Sequence, residues 1–389
     1  TAEQALPLRF EQSLLSESLG KGRALQDQMR LALGEMIRAD YVRDVSAKSP
    51  RVLRGALAVN LLPGENAAMP DSGVSANIRL DHVNLDEWSR LLQAPGPTGS
   101  AQAVEIQLEP SYLPTRWALR ASELTLASQR WHDVVLGGSR DQLLWRSAVD
   151  ARELGGYIEY RQPNTVSAAS ATGRLYARLA RLSLNPQQSA QVEAALAQQP
   201  ASIPALDVVV DQFDLNGKAL GHLEIEAINR LVDSGLRHAA VRDGALREWR
   251  LTKLNLSVPE ATLTASGNWA TVNAQGTGSG NAVKGAAPVR RSVLNLRLDI
   301  ADAGELLKRL GLDGVIRKGK GSLQGQLVWL GSPMRLDYPS LGGQLNLNVE
   351  NGQFLKAEPG LAKLLGVLSL QSLPRRLTLD FRDVFSEGF

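Results

Sequence analysis

The chain has 389 residues, a hydrophobic fraction of 43% and a formal net charge of +3 at pH 7. Its basic residues are spread along the sequence rather than clustered, which argues against a nucleic-acid partner. It contains no cysteine, which excludes disulfides and thiolate metal sites. No window reaches the roughly 18 consecutive apolar residues of a membrane-spanning helix. The first residues also lack the basic and apolar regions of a signal peptide.

The first fifty residues show a helical pattern. Apolar residues recur there at spacings of three and four, namely Leu25, Met29, Leu33, Met36 and Ile37. That spacing predicts helix within 11–42, so we expect residues 1–50 to form a helical segment, whose role the sequence does not define.

From Arg51 onward, short stretches alternate apolar and polar residues. Leu294, Leu296 and Leu298, for example, enclose Asn295 and Arg297. A period of two is typical of strands with one apolar and one polar face. The close spacing of the strands predicts a mostly β fold with a long antiparallel sheet. The predicted strands are 51–61, 73–81, 102–109, 115–126, 132–137, 142–148, 154–161, 173–184, 205–215, 220–228, 248–258, 260–269, 291–300, 321–330, 343–350 and 376–382.

Short helices interrupt this pattern. Asn84 with Glu87, and Asp302 with Glu305, resemble capping boxes that follow strand ends. Asn185, followed by proline, predicts a further helix start. The predicted short helices are 85–93, 186–198, 303–310 and 361–372.

The strand followed by a capped helix occurs twice, which indicates a duplicated β-rich module. We place the modules at 51–200 and 201–389. Residues 383–389 follow the last predicted strand without a closing element. We therefore expect the second module to be truncated at its C-terminus and the chain to be a piece of a longer protein.

The segment between the prolines at 359 and 374 is apolar over the length of a helix, with one charge at Lys363. A buried core helix, an interfacial helix and a helix that lines or plugs an apolar groove all fit this pattern, and the core helix is favoured. The residues that would contact a groove are Leu361, Leu364, Leu365 and Leu368.

Motifs that would carry chemistry are missing. Residues 314–321 are rich in glycine and lysine but lack the Ser or Thr and the following helix of a phosphate-binding loop, so we predict a basic turn between strands. The histidines show no metal-ligand spacing; they are His82, His132, His222 and His238. We therefore predict a protein that is not an enzyme and has no metal or cofactor.

The C-terminal residues contain several distinctive passages: Tyr-Pro-Ser-Leu-Gly-Gly at 338–343, Gly-Gln-Phe-Leu at 352–355, Glu-Pro-Gly at 358–360, and the segments 368–377, 379–385 and 388–389. These passages resemble the YhdP-like members of the AsmA-like family, and the passages at 203–207, 220–221 and 265–269 look like the preceding strands of the same family. The resemblance covers about 200–389 most strongly.

This resemblance implies a sheet curled into a half-open apolar groove. It also implies a periplasmic body, an inner-membrane anchor outside this segment, and phospholipid transport towards the outer membrane. Phospholipids would be the ligand, with both membranes and possible envelope proteins as partners, and the family brings no catalytic residues. The alternative is a β-rich scaffold or outer-membrane assembly factor whose apolar faces close on each other, since alternation fits both.

The alternation pattern places the groove lining on one concave face, because a shift of one residue would reverse every side chain. The predicted lining residues are Leu206, Val208, Val210, Leu223, Ile225, Leu254, Leu256, Val258, Leu294, Leu296, Leu298, Leu323, Leu327, Trp329, Leu345, Leu347, Val349, Leu377, Leu379 and Phe381.

Overall fold

The computed structural model describes residues 6–20, 22, 24–65, 67–87, 110–126, 129–163, 172–185, 203–231, 247–271, 290–333 and 336–354. Seventeen strands belong to one mostly antiparallel sheet, which confirms the predicted fold class. The chain divides into two compact units, residues 1–159 and 160–389. No helix in the described ranges is long and apolar enough to cross a bilayer.

The first unit is a run of strands paired in sequence order. The strands are β1 (Leu8–Leu14), β2 (Gln26–Leu33), β3 (Ile37–Asp44), β4 (Arg51–Val59), β5 (Gly73–Asn84), β6 (Arg116–Leu126), β7 (Gln129–Asp141) and β8 (Leu144–Asp150), with β9 (Leu154–Arg161) at the unit boundary. Strands β1 to β4 pair antiparallel, as do β6 to β8. The pairs β4–β5 and β5–β6 are parallel.

The predicted helix over 11–42 is wrong, because β1, β2 and β3 occupy that region. Met29, Leu31 and Leu33 also recur at every second position, so the same sequence satisfies a period of two. A tight turn after β2, in which Gly34 has φ +55°, pairs Leu33 with Ile37. Pairing along a full sheet thus outweighs a local helical pattern.

The second unit continues the alternating pattern. Its strands are β10 (Arg174–Leu184), β11 (Ala205–Leu215), β12 (Lys218–Leu231), β13 (Arg247–Val258), β14 (Ala261–Thr271), β15 (Arg290–Ile300), β16 (Ile316–Leu330) and β17 (Gly342–Phe354). Strands β11 to β17 pair antiparallel in sequence order. The pair β10–β11 is parallel.

The parallel pairs depart from the purely antiparallel connections expected for the predicted strands. Parallel neighbours need a long crossover between the end of one strand and the start of the next. In sequence, the strands of the three parallel pairs are separated by residues 60–72, 85–115 and 185–204. Side-chain alternation is the same in both kinds of pair, so the sequence pattern does not distinguish them.

One predicted short helix is confirmed in full. Helix α1 (Ala303–Arg309) begins at the N-cap Asp302, whose carboxylate accepts a hydrogen bond from the Glu305 amide at 3.1 Å. The described start of the earlier helix shows the same cap, with the Glu87 amide donating to Asn84 at 3.1 Å. The remainder of that helix, and the predicted helices 186–198 and 361–372, lie outside the described residues.

The predicted basic turn at 314–321 is wrong in its second part. Strand β16 begins at Ile316, so most of the segment belongs to a strand. Lys318 and Gly319 have φ values of +56° and +98°, an irregularity within the strand rather than a loop between two strands.

Buried residues concentrate in small clusters on one face of each unit. In the first unit, one cluster contains Val83, Leu119 and Val134, and another contains Tyr41 and Val74. In the second unit, a cluster of Ile203, Ala227, Trp249 and Trp269 lies at one end of the strands. Burial is not confined to these clusters, since Val210 on β11 and Leu223 on β12 are 0% and 7% exposed.

We expect Gly325→Ala to lower the free energy of unfolding by about 1–3 kcal/mol, the usual cost of overpacking. A Cβ at Gly325 would collide with the backbone of Gln344 and Leu345 on β17, which cannot move as a flexible side chain would. Denaturant unfolding measures the effect. The control is Gly342→Ala on the same pair of strands, where a Cβ meets no atom within 4 Å. Equal stabilities of the two variants would contradict this prediction.

Candidate functional site

The strand register brings the predicted lining residues of β11–β17 to one face of the second unit. Leu256 lies opposite Leu223 and Leu263, and Leu298 lies opposite Leu263 and Leu323. We call this surface the apolar face. Its predicted members in the described strands are Leu206, Val208, Val210, Leu223, Ile225, Leu254, Leu256, Val258, Leu294, Leu296, Leu298, Leu323, Leu327, Trp329, Leu345, Leu347 and Val349. Leu377, Leu379 and Phe381, and the helix residues Leu361, Leu364, Leu365 and Leu368, lie outside the described residues.

Burial varies across the apolar face, where Val210, Leu223 and Leu327 are only 0%, 7% and 5% exposed. Leu294, Leu296 and Leu298 are intermediate in exposure, whereas Leu347 and Val349 on β17 are 40% and 49% exposed. In the described part of this unit, the main contacts join neighbouring strands or pack α1 and a short 3-10 helix against β16. No second layer of described strands or helices therefore covers the apolar face.

The opposite face of the same strands is polar and ionic. Lys253 and Glu224 form an ion pair at 2.6 Å, and the Gln326 amide donates to Asn295 at 2.8 Å. Hydrogen bonds from Lys253 and from His222 hold the pKa of Glu224 down at about 2, so its carboxylate is charged at neutral pH. The sheet is therefore amphipathic, with a water-compatible surface on one side only.

Three tryptophans and one serine form a row across one end of the apolar face. Trp249 pairs with Trp269, Trp269 with Ser292, and Ser292 with Trp329 on four adjacent strands. We call these four residues the indole row. Trp269 is 1% exposed and Trp329 2% exposed. The Arg290 guanidinium lies 5.7 Å from the Trp269 ring centroid, within the range of a cation–π contact.

The hydrogen bonds of the indole row are incomplete. The Trp329 ring nitrogen donates to the carbonyl oxygen of Ser332 at 2.8 Å. The Ser292 hydroxyl donates to the carbonyl oxygen of Gly331 at 2.9 Å. The buried ring nitrogens of Trp249 and Trp269 find no acceptor in the part of the chain that the structure describes.

Helix α1 contacts the opposite end of these strands. Arg309 on α1 contacts Glu260, in the turn between β13 and β14, through Nε at 2.6 Å. The same guanidinium donates to the carbonyl oxygen of Ala219 at 3.0 Å. The Arg309 hydrogen bond holds the pKa of Glu260 below its usual range.

The first unit contains a buried ion pair between β2 and β3. Arg43 contacts Asp27 through two nitrogens at 3.0 and 2.6 Å, and it also donates to the Tyr112 hydroxyl at 3.1 Å. The Gln12 amide donates to the Asp27 carboxylate at 2.6 Å. The Asp27 and Arg43 side chains are 1% and 10% exposed. This polar cluster packs beside Tyr41, whose ring contacts that of Tyr112.

The first unit also leaves apolar side chains in water. Leu8, Phe10 and Leu14 on β1 are 67%, 56% and 55% exposed. The register places Phe10 opposite Leu31 and Leu8 opposite Leu33, so these apolar side chains lie on one side of the β1–β2 pair.

Sequence reasoning did not find the indole row as a unit. Trp269 and Trp329 follow the alternation of their strands without interruption, but Trp249 does not. The register between β13 and β14 shifts between Leu251 and Leu254, which moves Trp249 onto the face that Leu254 occupies. Parity counted from Leu254 alone would place Trp249 on the polar face. The available signal in the sequence was a tryptophan near one end of each of three predicted strands, the later β13, β14 and β16.

Of the four histidines in the sequence, His82, His132 and His222 lie in strands, and His238 lies outside the described ranges. His132 contacts Glu153 at 2.6 Å, and His222 contacts Glu224 at 3.2 Å. Within the residues that the structure describes, no cluster of three or more His, Asp or Glu side chains is arranged to hold a metal ion.

These features define a class of protein: a largely antiparallel sheet with a polar face and an apolar face that no layer of the described residues covers. The family described as "YhdP protein" matches residues 1–389, and the chain therefore belongs to that family. This confirms the resemblance seen in the C-terminal residues. The chain is also similar to the intermembrane phospholipid transporter YhdP of Escherichia coli (strain K12), with 34% identity over 80 residues. That match covers 20% of this chain and 6% of the relative. No solved structure matches the chain.

Proposed function

We propose that this chain is part of a non-catalytic phospholipid-transfer protein and shields acyl chains on its apolar face. The observation that carries the proposal is the two-sided sheet of β11–β17. One side is apolar, with Leu294, Leu296 and Leu298 only half-buried, and the other side is ionic. Contiguous exposed apolar surface of more than a few hundred Å² is rare on soluble monomers and marks an interaction site.

The physical chemistry of the apolar face suits a moving acyl chain. Each methylene removed from water contributes about 0.8 kcal/mol. This attraction has no preferred direction, so a lipid can slide between equivalent rows of leucines with little change in free energy. Polar headgroups would remain in water at the open side.

The dimensions of the strands are compatible with this ligand. From Trp269 to Ala261 the chain of β14 advances about 27 Å, at roughly 3.4 Å per residue. One leaflet of a bilayer contributes about 15 Å of hydrocarbon, half of a core of about 30 Å. A single lipid tail therefore fits within the length of the apolar face.

The rival proposal is a β-rich scaffold or assembly factor with a closed core. A closed core would bury its central leucines almost completely. The intermediate exposure of Leu296 and Leu298 and the 40% exposure of Leu347 favour an open surface. The similarity to the intermembrane phospholipid transporter of Escherichia coli supports the same choice.

We also propose a periplasmic location between the inner and outer membranes, within a protein anchored to the inner membrane. The envelope location is supported by the similarity to an Escherichia coli protein that transports phospholipid between membranes. Phospholipids are the proposed ligand, and the two membranes are the donor and acceptor surfaces.

Lipid extraction from the purified chain tests the proposed function. We expect mass spectrometry to recover phospholipid in a constant molar ratio to protein after extensive washing in detergent-free buffer. The control is the same chain unfolded and washed before extraction, which should release almost none. Equal, trace amounts from folded and unfolded chains would contradict the proposal.

A further inference from the structure

Resting on the proposed function, we infer that the indole row and Arg290 bind the oxygen-rich junction of a phospholipid, its ester carbonyls and phosphate. The acyl chains would then extend along β13–β17 towards Val258 and Val349. The apolar face would thus hold its lipid in one orientation, with the headgroup at the end where the tryptophans lie.

The first support is a pair of buried donors. Trp249 and Trp269 are 9% and 1% exposed, and their ring nitrogens lack an acceptor among the described residues. Leaving a buried N–H without an acceptor is unfavourable, and an ester or phosphate oxygen would supply the missing bond. Both nitrogens are shielded from solvent, so the acceptor reaches them by displacing a neighbouring side chain.

The second support is the charge beside these donors. Arg290 lies over the Trp269 ring and carries the positive charge that a phosphate prefers. Tryptophan combines an apolar ring with one polar N–H, which suits it to the boundary between hydrocarbon and headgroup. The indole row therefore offers hydrogen-bond donors, a cation and apolar ring surface at the same end of the strands.

The same arrangement occurs independently in the first unit. Trp117 and Trp145 are 5.3 Å apart between ring centroids, and the Arg140 guanidinium lies 5.4 Å from the Trp145 ring. The buried Trp145 nitrogen has no acceptor in the described part of the chain. A tryptophan pair, a stacked arginine and an unmatched indole N–H thus recur on different strands.

The opposite end of the apolar face has a different chemistry. Its flanking charges, Arg309 and Glu260, already bind each other and the carbonyl oxygen of Ala219. Val258, Ile300 and Val349 supply apolar surface there. This end suits the methyl termini of acyl chains better than a phosphate.

The orientation is tested by photolabelling the full 389-residue chain with phosphatidylethanolamine in vesicles. One probe carries a diazirine beside the ester carbonyl and the other carries it near the tail methyl. Peptide mass spectrometry should map the first label to the ends of β13–β16 around Trp249, Trp269 and Ser292. The second label should map to the region of Val258, Ile300 and Val349. A reversed or identical distribution would overturn the inference.

Matched variants test the role of the indole donors. The double variant Trp249→Phe with Trp269→Phe keeps the rings and removes both N–H groups. We expect it to lower near-carbonyl labelling of the indole row about tenfold or more, as for the loss of two hydrogen bonds. Trp131→Phe is the control, because Trp131 lies on β7 of the first unit, outside the indole row, and this variant should retain the labelling. Unchanged labelling in the double variant would also overturn the inference.

Total labelling separates this inference from the proposed function. Labelling of the chain by both probes, but without positional preference, would reject the fixed orientation and keep lipid binding. An absence of labelling by either probe in a folded chain would reject lipid binding itself, and the orientation with it.

Discussion

Leu296→Asp should lower the amount of phospholipid bound by the chain about tenfold or more while leaving the chain folded. Leu296 lies at the centre of the apolar face, opposite Ala265 and Gly325. A carboxylate there would have to lose its water without gaining a partner when an acyl chain passes. A penalty above about 1.4 kcal/mol corresponds to a tenfold loss of affinity. The carboxylate can remain hydrated in the lipid-free chain because Leu296 is only half-buried.

The control for this substitution is Asn295→Asp. Asn295 is the preceding residue, is exposed, and lies on the polar face, where it accepts a hydrogen bond from Gln326. The same charge at this position should leave bound lipid almost unchanged. If Leu296→Asp melts far below the unsubstituted chain and Asn295→Asp does not, the apolar face is a closed core and the scaffold hypothesis is favoured.

Asp27→Ala should lower the stability of the first unit by about 3–5 kcal/mol, the usual cost of removing one partner from a buried ion pair. The substitution would leave the Arg43 guanidinium, 10% exposed, without its carboxylate. Hydrogen exchange of peptides from β2 and β3 would measure the loss in the unit concerned. A change below 1 kcal/mol would contradict the prediction.

Two controls separate burial from charge. Replacing both partners, as Asp27→Leu with Arg43→Met, should recover most of the stability, because no uncompensated charge remains. Arg152→Ala breaks an ion pair with Asp133 that is 67% and 66% exposed. That loss should be at most about 1 kcal/mol.

The same ion pair predicts a dependence on pH. Arg43 hydrogen bonds hold the pKa of Asp27 below its usual value, so folding favours the charged carboxylate. The resulting stability is present above the unfolded-state pKa and is lost as the pH falls through the lower pKa of the folded state. The Asp27→Ala chain lacks this carboxylate. Its free energy of unfolding should therefore fall less steeply than that of the unsubstituted chain as the pH is lowered, which denaturant unfolding at a series of pH values would measure.

The strands were the most predictable part of the fold. The predicted strand 205–215 has the same limits as β11, because a long alternating run leaves one side apolar over its whole length. The helix predicted within 11–42 failed because Met29 and Leu33 fit both a helical and an alternating period. Only pairing with distant residues resolves that ambiguity, and it is invisible in a local window.

The apolar face was predictable wherever strands run without irregularity. Leu323, Leu345 and Leu347 follow directly from alternation. The indole row was not predictable in the same way, because the register shift in β13 changes which parity faces inward at Trp249. Likewise, alternation carries no information about strand direction, so the parallel pair β10–β11 could not be foreseen from it.

The most direct test is a scan of photoreactive residues along β15, one position at a time, in the full chain supplied with phospholipid vesicles. Lipid binding on the apolar face predicts strong crosslinking to phospholipid at Leu294, Leu296 and Leu298. It predicts little at Asn295 and Arg297, which point to the polar face. Crosslinking that alternates with a period of two is the expected result. Equal labelling at all five positions, or none at any of them in a folded chain, would contradict it.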